Sequence, residues 1–228
     1  MSPGIGDWSV HRAEMNRTLR IDPRRTVALT IDMQRAYLDA AVGDKLVPRN
    51  EAEAIVAASA RLLDACRSHA VPVVHAYVNR LPIELEARVG NSRFATISKD
   101  LASFGAAQPP DRPVGSPQAE LPAALVRPGD IHVRSKKTTD SYYGTELAIL
   151  FEQAIRPSTV IILGINTETC VYAGAFGTKV RGYQPIVASD CVGSHRDPEN
   201  TRLALELLSR TIAWTLPSNE IIAKLDAG

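Results

Sequence analysis

Ionisable side chains follow two short apolar runs of this sequence. Asp32 ends the run TVALTID, and Lys136 and Lys137 follow the run IHVR. A carboxylate at the end of a buried strand is desolvated on its strand side and points toward the ligand cleft. Simpler interpretations stay open, since Asp32 could cap a following helix and two adjacent lysines are commonly solvated.

Cys170 adds a candidate nucleophile. It follows the apolar run STVIILG and precedes VYAGAFGTKV, a predicted helix rich in small residues. Unpaired N–H groups and the positive end of the dipole at a helix N-terminus favour a thiolate, and the same N–H groups can bind an oxyanion. The position therefore predicts nucleophilic catalysis by Cys170. Cys66 and Cys191 are interpreted as buried structural thiols.

These residues belong to a regular alternation of short apolar runs and longer amphipathic stretches. The alternation predicts an α/β fold, a three-layer αβα sandwich with a doubly wound, mainly parallel sheet of about six strands. The predicted strands are 26–32, 71–78, 131–134, 158–164, 184–190 and 211–216, and the predicted helices are 50–70, 145–155, one from 167, 198–209 and 218–225. Asp32, Lys136 and Cys170 all lie near strand carboxyl ends, where such sheets bind ligands.

Two segments stand outside the alternation. Residues 80–130 contain seven prolines, too many for regular structure throughout, and we expect a long excursion that includes a short helix. Because plain connections seldom exceed about 15 residues, this excursion is interpreted as a lid or an interface arm. Residues 1–25 are interpreted as an N-terminal arm.

The composition excludes several classes of protein. The 228 residues, with a net charge of +1, indicate one domain spanning 1–228 and no nucleic-acid or membrane partner. Three cysteines without CxxC spacing argue against a disulfide framework or a zinc ribbon. No apolar run has the length of a signal peptide core or a membrane span, so we expect a cytoplasmic protein.

Three segments in this order resemble the signature segments of the isochorismatase-like cysteine hydrolases: TVALTIDMQRAYL, HVRSKKTTDSYYGTEL and GINTETCVYAGAFGTKVRGYQPIVASDCVGS. The family includes nicotinamidases, N-carbamoylsarcosine amidase, ureidoacrylate amidohydrolase, biuret hydrolase and maleamate amidase. The resemblance, over 26–218, implies an Asp-Lys-Cys triad with Asp32 in the DMQ motif and Cys170 in the last segment. The family's lysine lies nine residues before a Thr or Ser that precedes a helix. Counting back from Thr145 selects Lys136 and leaves Lys137 as the alternative.

The family also has a non-proline cis peptide bond shortly before the cysteine. Here the resemblance implies a cis bond between Ile165 and Asn166. It further implies that the backbone N–H groups of Asn166 and Cys170 form the oxyanion hole.

The activity implied is hydrolysis of a small linear amide, carbamoyl or ureido compound. Asp32 would take the thiol proton, Cys170 would form a thioester, and ammonia would leave. The metal-binding Asp-x-His of nicotinamidases is lacking around His75, so no metal and no other cofactor is expected. The candidate substrate contacts are Tyr37, Asn79, Tyr142 and Asn166. His195 and Arg196 could meet a substrate carboxylate, or could lie in a solvated loop.

Two other functions stay open. Family members with isochorismatase activity cleave a vinyl ether and lack the nucleophilic cysteine, and a scaffold on this fold would be expected to have lost a triad residue. The presence of all three residues favours the amidase. The family also implies a homodimer or homotetramer, for which the excursion and the arm around Trp8 are the candidate contacts.

Overall fold

A single parallel sheet forms the centre of the molecule in a computed structural model that describes residues 8–43, 45–89 and 111–228. Its strands are β1 (Thr26–Ile31), β2 (Val73–Val78), β3 (Ile131–Lys136), β4 (Thr159–Ile165), β5 (Gln184–Gly193) and β6 (Trp214–Leu216). They lie in the order β3-β2-β1-β4-β5-β6, and every neighbouring pair is parallel. The predicted doubly wound sheet is confirmed.

Helices cover both faces of this sheet. They are α1 (Ser9–Thr18), α2 (Arg35–Leu38), α3 (Arg49–Ser68), α4 (Pro82–Val89), α5 (Leu147–Ile149, widened into π-helical turns over Leu150–Ile155), α6 (Tyr172–Val180), α7 (Pro198–Thr211) and α8 (Ser218–Asp226). A π-helical turn, Thr167–Val171, leads into α6. None of the helices in the described residues has the length and hydrophobicity of a membrane-spanning segment.

Alternate residues of β1 enter two separate hydrophobic cores. Ala28 packs with α3 and α8 on one face, whereas Val27, Leu29 and Ile31 pack with α5, α6 and α7 on the other. This period of two, in a strand with every residue buried, is the expected signature of a sheet covered on both sides. The three-layer prediction is therefore confirmed.

The predicted ends of two strands were too early. β3 continues through Ser135 and Lys136, which pair with Val78 of β2. β5 continues to Gly193 after an irregularity in its pairing with β4. In β3 the hydrophobic pattern ended sooner because Ser135 and Lys136 are polar. In β5 the prediction stopped at the polar pair Ser189 and Asp190, although Cys191 and Val192 beyond them are buried.

The Pro-rich excursion contains the expected short helix, α4. Farther along, it returns to the end of β2 through a parallel bridge between Arg80 and Pro113. Residues 90–110, the middle of the predicted lid or interface arm, lie outside the described residues.

The N-terminal arm packs on this chain's own last elements. The Trp8 indole donates a hydrogen bond to the Ser209 carbonyl at 3.3 Å, and Asn16 donates to the Thr215 carbonyl at 3.0 Å. Arg12 pairs with Glu206 of α7. These contacts engage Trp8 within the subunit, although it was expected at an interface between subunits.

Candidate active site

Asp32 follows directly after β1, at the point where the strand order reverses between β1 and β4. Its backbone has a φ of 52° and its N–H still donates to the Ala76 carbonyl at 2.9 Å, so the sheet pairing continues while the side chain turns aside. The left-handed region is unfavourable for residues with a Cβ, although Asp tolerates it better than most. The side chain is 1% exposed, which makes its carboxylate a buried group at the switch point of the sheet.

Two small residues allow the chain to pack closely around Ile31, the residue before Asp32. A Cβ on Gly164 of β4 would lie 2.4 Å from the Ile31 carbonyl oxygen, and a Cβ on Gly174 of α6 would lie 2.4 Å from the Ile31 side chain. Gly164 also has a φ of 155°. Glycine at both positions thus brings β4 and α6, which flank the cysteine turn, against the end of β1.

Lys136 reaches Asp32 from the end of β3, across β2. Its Nζ lies 2.6 Å from Asp32 Oδ2 and 3.5 Å from Cys170 Sγ, and its side chain is 1% exposed. Lys137, the first residue after β3, makes different contacts. Its Nζ pairs with Glu84 Oε2 at 2.8 Å and also donates to the Asn79 carbonyl. The structure therefore brings Lys136, and not Lys137, to the carboxylate and the thiol.

Cys170 lies in the wide turn before α6, partly exposed between these two charges. Burial and the neighbouring Asp32 carboxylate raise its pKa to about 11, although Lys136 and Thr169 act to lower it. The helix terminus was expected to favour a thiolate, whereas burial and Asp32 shift the pKa of Cys170 in the opposite direction. At neutral pH the sulfur holds its proton and needs a base to remove it.

One oxygen of the Asp32 carboxylate is available to accept the thiol proton of Cys170. Its Oδ2 is held by Lys136, whereas Oδ1 is buried and accepts no hydrogen bond of ordinary geometry from the described residues. The carboxylate nevertheless lies close enough to Cys170 to raise the pKa of the thiol. This arrangement suits an acceptor for the thiol proton.

The peptide bond between Ile165 and Asn166 is cis, as expected. The Asn166 side chain is buried, and its Oδ1 accepts the His195 backbone N–H at 2.9 Å and His195 Nδ1 at 2.7 Å. Because an amide oxygen only accepts, the Nδ1 of this imidazole carries a proton. The oxygen of Asn166 is thus used to hold His195 against the turn that carries Cys170.

Tyr37 of α2 lies beside this group. Its ring centroid is 5.4 Å from that of His195, and its side chain is 5% exposed. Burial raises the pKa of the Tyr37 hydroxyl, Arg112 opposes that rise, and the Asp32 and Cys170 charges add to it. The hydroxyl therefore stays protonated, and the ring forms a wall next to the thiol.

Two other predicted substrate contacts are not brought to the cluster. The Tyr142 hydroxyl shares a hydrogen bond with Thr178 at 2.8 Å and its ring packs against Phe151 in the core under α6, about two turns beyond Cys170. Among the described residues, no hydrogen bond or ring contact joins Tyr142 to Asp32, Lys136 or Cys170, and its substrate contact stays a prediction. Asn79 is half-buried at the end of β2, where its carbonyl accepts from Lys137.

Gln34 and Arg112 also belong to this region, and the sequence interpretation missed both. Gln34 is fully buried, and its amide donates to the Val78 carbonyl at 2.7 Å and the Ala119 carbonyl at 2.8 Å. Its Oε1 accepts from Arg112 at 3.2 Å. No periodicity marks Arg112 in the Pro-rich excursion, whereas the strand-end position of Gln34 could have drawn attention to it.

Arg196 does not point a free cation into the site. It is half-exposed and pairs with Glu168 at 2.8 Å. A cavity of about 560 Å³ opens nearby, between α2, the start of α3 and the loop after β5, and His195 is among its lining residues. Neither Asp32 nor Cys170 lines this cavity, so it borders the cluster without containing it.

His75 is a core residue. Its ring is fully buried, with Nδ1 2.7 Å from the Thr30 hydroxyl and Nε2 3.2 Å from Asp130. Among residues 8–43, 45–89 and 111–228, no group of three or more His, Cys, Asp or Glu side chains is placed to hold a metal ion.

Comparisons with known proteins point to one family. A model of the isochorismatase domain matches residues 26–220. Maleamate amidohydrolase from Pseudomonas putida is 28% identical over 152 residues, which are 66% of this chain and 65% of that relative, so less than two thirds of the relative's length is matched.

Solved structures share the fold. A cysteine hydrolase from Pseudomonas syringae has a TM-score of 0.73 and 20% identity, covering 92% of this chain and 96% of its own. N-carbamoylsarcosine amidase from Thermoplasma acidophilum has a TM-score of 0.62 and 20% identity, covering 86% and 97%. At such identities the likeness concerns the fold alone.

Proposed function

The chain belongs to the isochorismatase family, and on that premise we propose that it is a cysteine-dependent amidohydrolase that cleaves the C–N bond of a small linear amide, carbamoyl or ureido compound. One observation carries the proposal. The Lys136 ammonium lies within hydrogen-bond distance of both the Asp32 carboxylate and the Cys170 thiol. A base, a cation and a soft nucleophile in mutual contact are what covalent amide hydrolysis requires.

The first half-reaction forms a thioester. Asp32 accepts the thiol proton as Cys170 Sγ attacks the carbonyl carbon, and Lys136 stabilises the negative charge that develops on sulfur. The backbone N–H groups of Asn166 and Cys170 donate to the oxyanion. When the tetrahedral intermediate collapses, Asp32 returns the proton to the departing nitrogen and ammonia leaves.

The second half-reaction restores the enzyme. A water molecule gives a proton to Asp32 and attacks the thioester carbonyl, the C–S bond breaks, and the proton passes to the sulfur. The net reaction consumes one amide and one water and yields one carboxylic acid and one ammonia. The raised pKa of Cys170 supports this route, because a thiol that is protonated at rest gives the adjacent carboxylate a necessary role.

The test is ammonia release from a panel of small amides. Purified protein is incubated with maleamate, N-carbamoyl amino acids, ureidoacrylate, biuret and nicotinamide, and Cys170→Ala serves as the control. We expect release from one class of compound and none from the variant. Mass spectrometry of a rapidly quenched reaction should show an acyl adduct on the peptide that contains Cys170.

Two results would contradict the proposal. Undiminished ammonia release by Cys170→Ala would exclude the thioester route. Failure to hydrolyse any compound of the panel, together with the absence of an acyl adduct on Cys170, would favour the vinyl ether hydrolase or the scaffold. The contact between all three side chains already argues for the amidase, because a scaffold has no need to keep them within reach of one another.

A further inference from the structure

A buried arginine from the excursion faces the same region as the proposed catalytic residues. Arg112 is only 8% exposed, although it lies in a connection rather than in a strand or helix. Its backbone has a φ of 52°, and its carbonyl accepts a hydrogen bond from Arg80 N–H at 3.0 Å beside the bridge to β2. Left-handed backbone at a residue with a long side chain is uncommon and is enriched at functional sites.

The guanidinium group has donors left over. Nε and Nη2 donate to the two oxygens of Asp111, at 2.9 and 3.2 Å, and Nη1 donates to Gln34 Oε1 at 3.2 Å. A guanidinium has five N–H donors, so among the described residues three are used and two remain, one on each Nη nitrogen. Two parallel N–H groups on the Nη atoms form the fork that binds a carboxylate in bidentate geometry.

The guanidinium lies beside Tyr37, whose ring forms the wall next to the thiol. The Arg112 guanidinium carbon is 5.1 Å from the centroid of the Tyr37 ring, and the other neighbour of that ring is His195 at 5.4 Å. The Asp32 and Cys170 charges both act on the Tyr37 hydroxyl. Tyr37 is therefore a neighbour of both the guanidinium and the charges of the proposed catalytic residues, and a short substrate beside its ring could reach both.

The charge on Arg112 is maintained in this buried place. Burial alone would lower its pKa, but Tyr37, Asp32 and Asp111 outweigh burial and raise it. Asp111 is also shared with Lys45, whose Nζ lies 3.2 Å from the same Oδ1 that Arg112 uses. A desolvated, fully charged fork with two open donors favours an anionic group as its missing partner.

We propose that Arg112 is a specificity-determining residue that binds the carboxylate of the substrate, so that the enzyme prefers short amides with a carboxylate at the far end over neutral amides of the same shape. This inference rests on the proposed amidohydrolase function. Gln34 acts as a positioning residue, since it holds Nη1 while its amide is tied to the ends of β2 and the excursion.

The kinetic test uses an isosteric pair of substrates. Maleamate and maleamide have the same length and reacting amide, and they differ only in a carboxylate against a second carboxamide. We expect the wild type to have at least about tenfold higher kcat/KM for maleamate. Arg112→Lys, which keeps the charge but loses the fork, should raise KM for maleamate about 10- to 100-fold and leave the kinetics with maleamide within about twofold.

Lys45→Gln is the matched control, because it removes a cation from the same Asp111 without touching the fork. Equal losses in Arg112→Lys and Lys45→Gln would mean that disturbance of Asp111, the shared partner of both side chains, and not loss of the fork, weakens substrate binding, and would overturn the inference. Equal or faster hydrolysis of maleamide by the wild type would overturn it without any variant.

A binding measurement separates this inference from the proposed function. Calorimetry measures the affinities of the Cys170→Ala variant for maleamate and for maleamide. The same two affinities are then measured in the double variant that also contains Arg112→Lys. Tighter binding of maleamate that is lost with Arg112→Lys supports the carboxylate site even if the wild type releases no ammonia. Equal binding of the two compounds in Cys170→Ala refutes it even if the wild type proves to be an amidase.

Discussion

The sulfur of Cys170 is kept protonated by the same carboxylate that is proposed to deprotonate it. Asp32 raises the pKa of the thiol because it repels the thiolate, while Lys136 attracts it. The thiol is therefore protonated at rest at neutral pH, and in the proposed route it gives up its proton to Asp32 as it attacks the carbonyl. This coupling was not predicted from the sequence, because a helix N-terminus points to the opposite shift and burial of the site cannot be deduced from residue types.

Replacing Asp32 should make the Cys170 thiol easier to alkylate and at the same time slow ammonia release. In Asp32→Asn the negative charge is lost and Lys136 remains, so the pKa of Cys170 should fall. We expect iodoacetamide to alkylate Cys170 faster than in the wild type at pH 7.5, while ammonia release falls by about 10²- to 10⁴-fold. Peptide mapping identifies the site, and Cys170→Ala gives the background from Cys66 and Cys191, whose thiols are buried. Slower alkylation in Asp32→Asn would disprove the assigned electrostatics.

The two adjacent lysines provide a second comparison. Lys136→Gln leaves Asp32 as a buried carboxylate without its cation, so amidase activity should fall by at least about 100-fold and the thiol should become harder to alkylate. Lys137→Gln removes the partly exposed pair with Glu84 and the hydrogen bond to the Asn79 carbonyl, neither of which involves Asp32 or Cys170, and should retain activity within about twofold. The measurement is the steady-state rate of ammonia release by each variant. Similar losses of activity in Lys136→Gln and Lys137→Gln would mean that catalysis does not depend on the contact between Lys136 and Asp32.

At the scale of the elements, β1 and β2 share a buried polar chain on the face opposite Ile31. Thr30 and Asp130 hold the two nitrogens of His75, and Arg67 of α3 pairs with Asp130 at 2.8 Å. Because a carboxylate only accepts, His75 Nε2–H donates to Asp130, and Nδ1 accepts a hydrogen bond from the Thr30 hydroxyl. Burial, against the pull of Asp130, lowers the pKa of His75 to about 4, with smaller contributions in the same direction from His132 and Arg67.

This histidine should make the fold sensitive to mild acid. Because the folded-state pKa of about 4 lies below the ordinary value of 6.5, protonation favours the unfolded chain. The stabilisation is complete above about pH 6.5 and is lost as the pH falls toward 4. The free energy of unfolding, measured in urea, should therefore fall between pH 7 and pH 4.5 by about 2 kcal/mol more in the wild type than in His75→Gln.

His69→Gln, at the partly exposed end of α3, controls for the general effect of removing a histidine. It should keep the wild-type dependence on pH. If His75→Gln and the wild type lose the same stability over this range, the ring is already charged in the folded state.

At the scale of the whole molecule, the order of the elements was predictable and the return of the excursion to β2 was not. Six apolar runs separated by amphipathic stretches allow few arrangements, and strand ends of a parallel sheet converge, so Asp32, the two adjacent lysines and Cys170 could be expected at one edge of the sheet from the sequence. The choice of Lys136 over Lys137 came from the family resemblance. Arg112 could not be grouped with these residues. Its position depends on a return of the chain to Arg80, and a Pro-rich segment has no period from which such a contact follows.

The position of β3 at the end of the sheet order gives one proposed catalytic side chain a weaker anchor than the other two. Asp32 and Cys170 extend from the central strands β1 and β4, whereas Lys136 depends on the last pairs between β3 and β2, where the register is irregular at Val78. End strands open locally with less free energy than central ones. In a urea titration we expect ammonia release to disappear at a lower concentration than the far-ultraviolet circular dichroism signal.

Hydrogen exchange provides the residue-level measurement, since amides of β3 should exchange faster than those of β1 and β4. Coincident loss of activity and of dichroism would mean that the sheet opens only as a unit. The expected order has a practical meaning for a cell. Fraying of β3 would withdraw Lys136 and stop hydrolysis before the protein becomes a substrate for proteases. A heated or stressed cell would therefore contain intact but inactive enzyme, which recovers its activity when β3 pairs with β2 again.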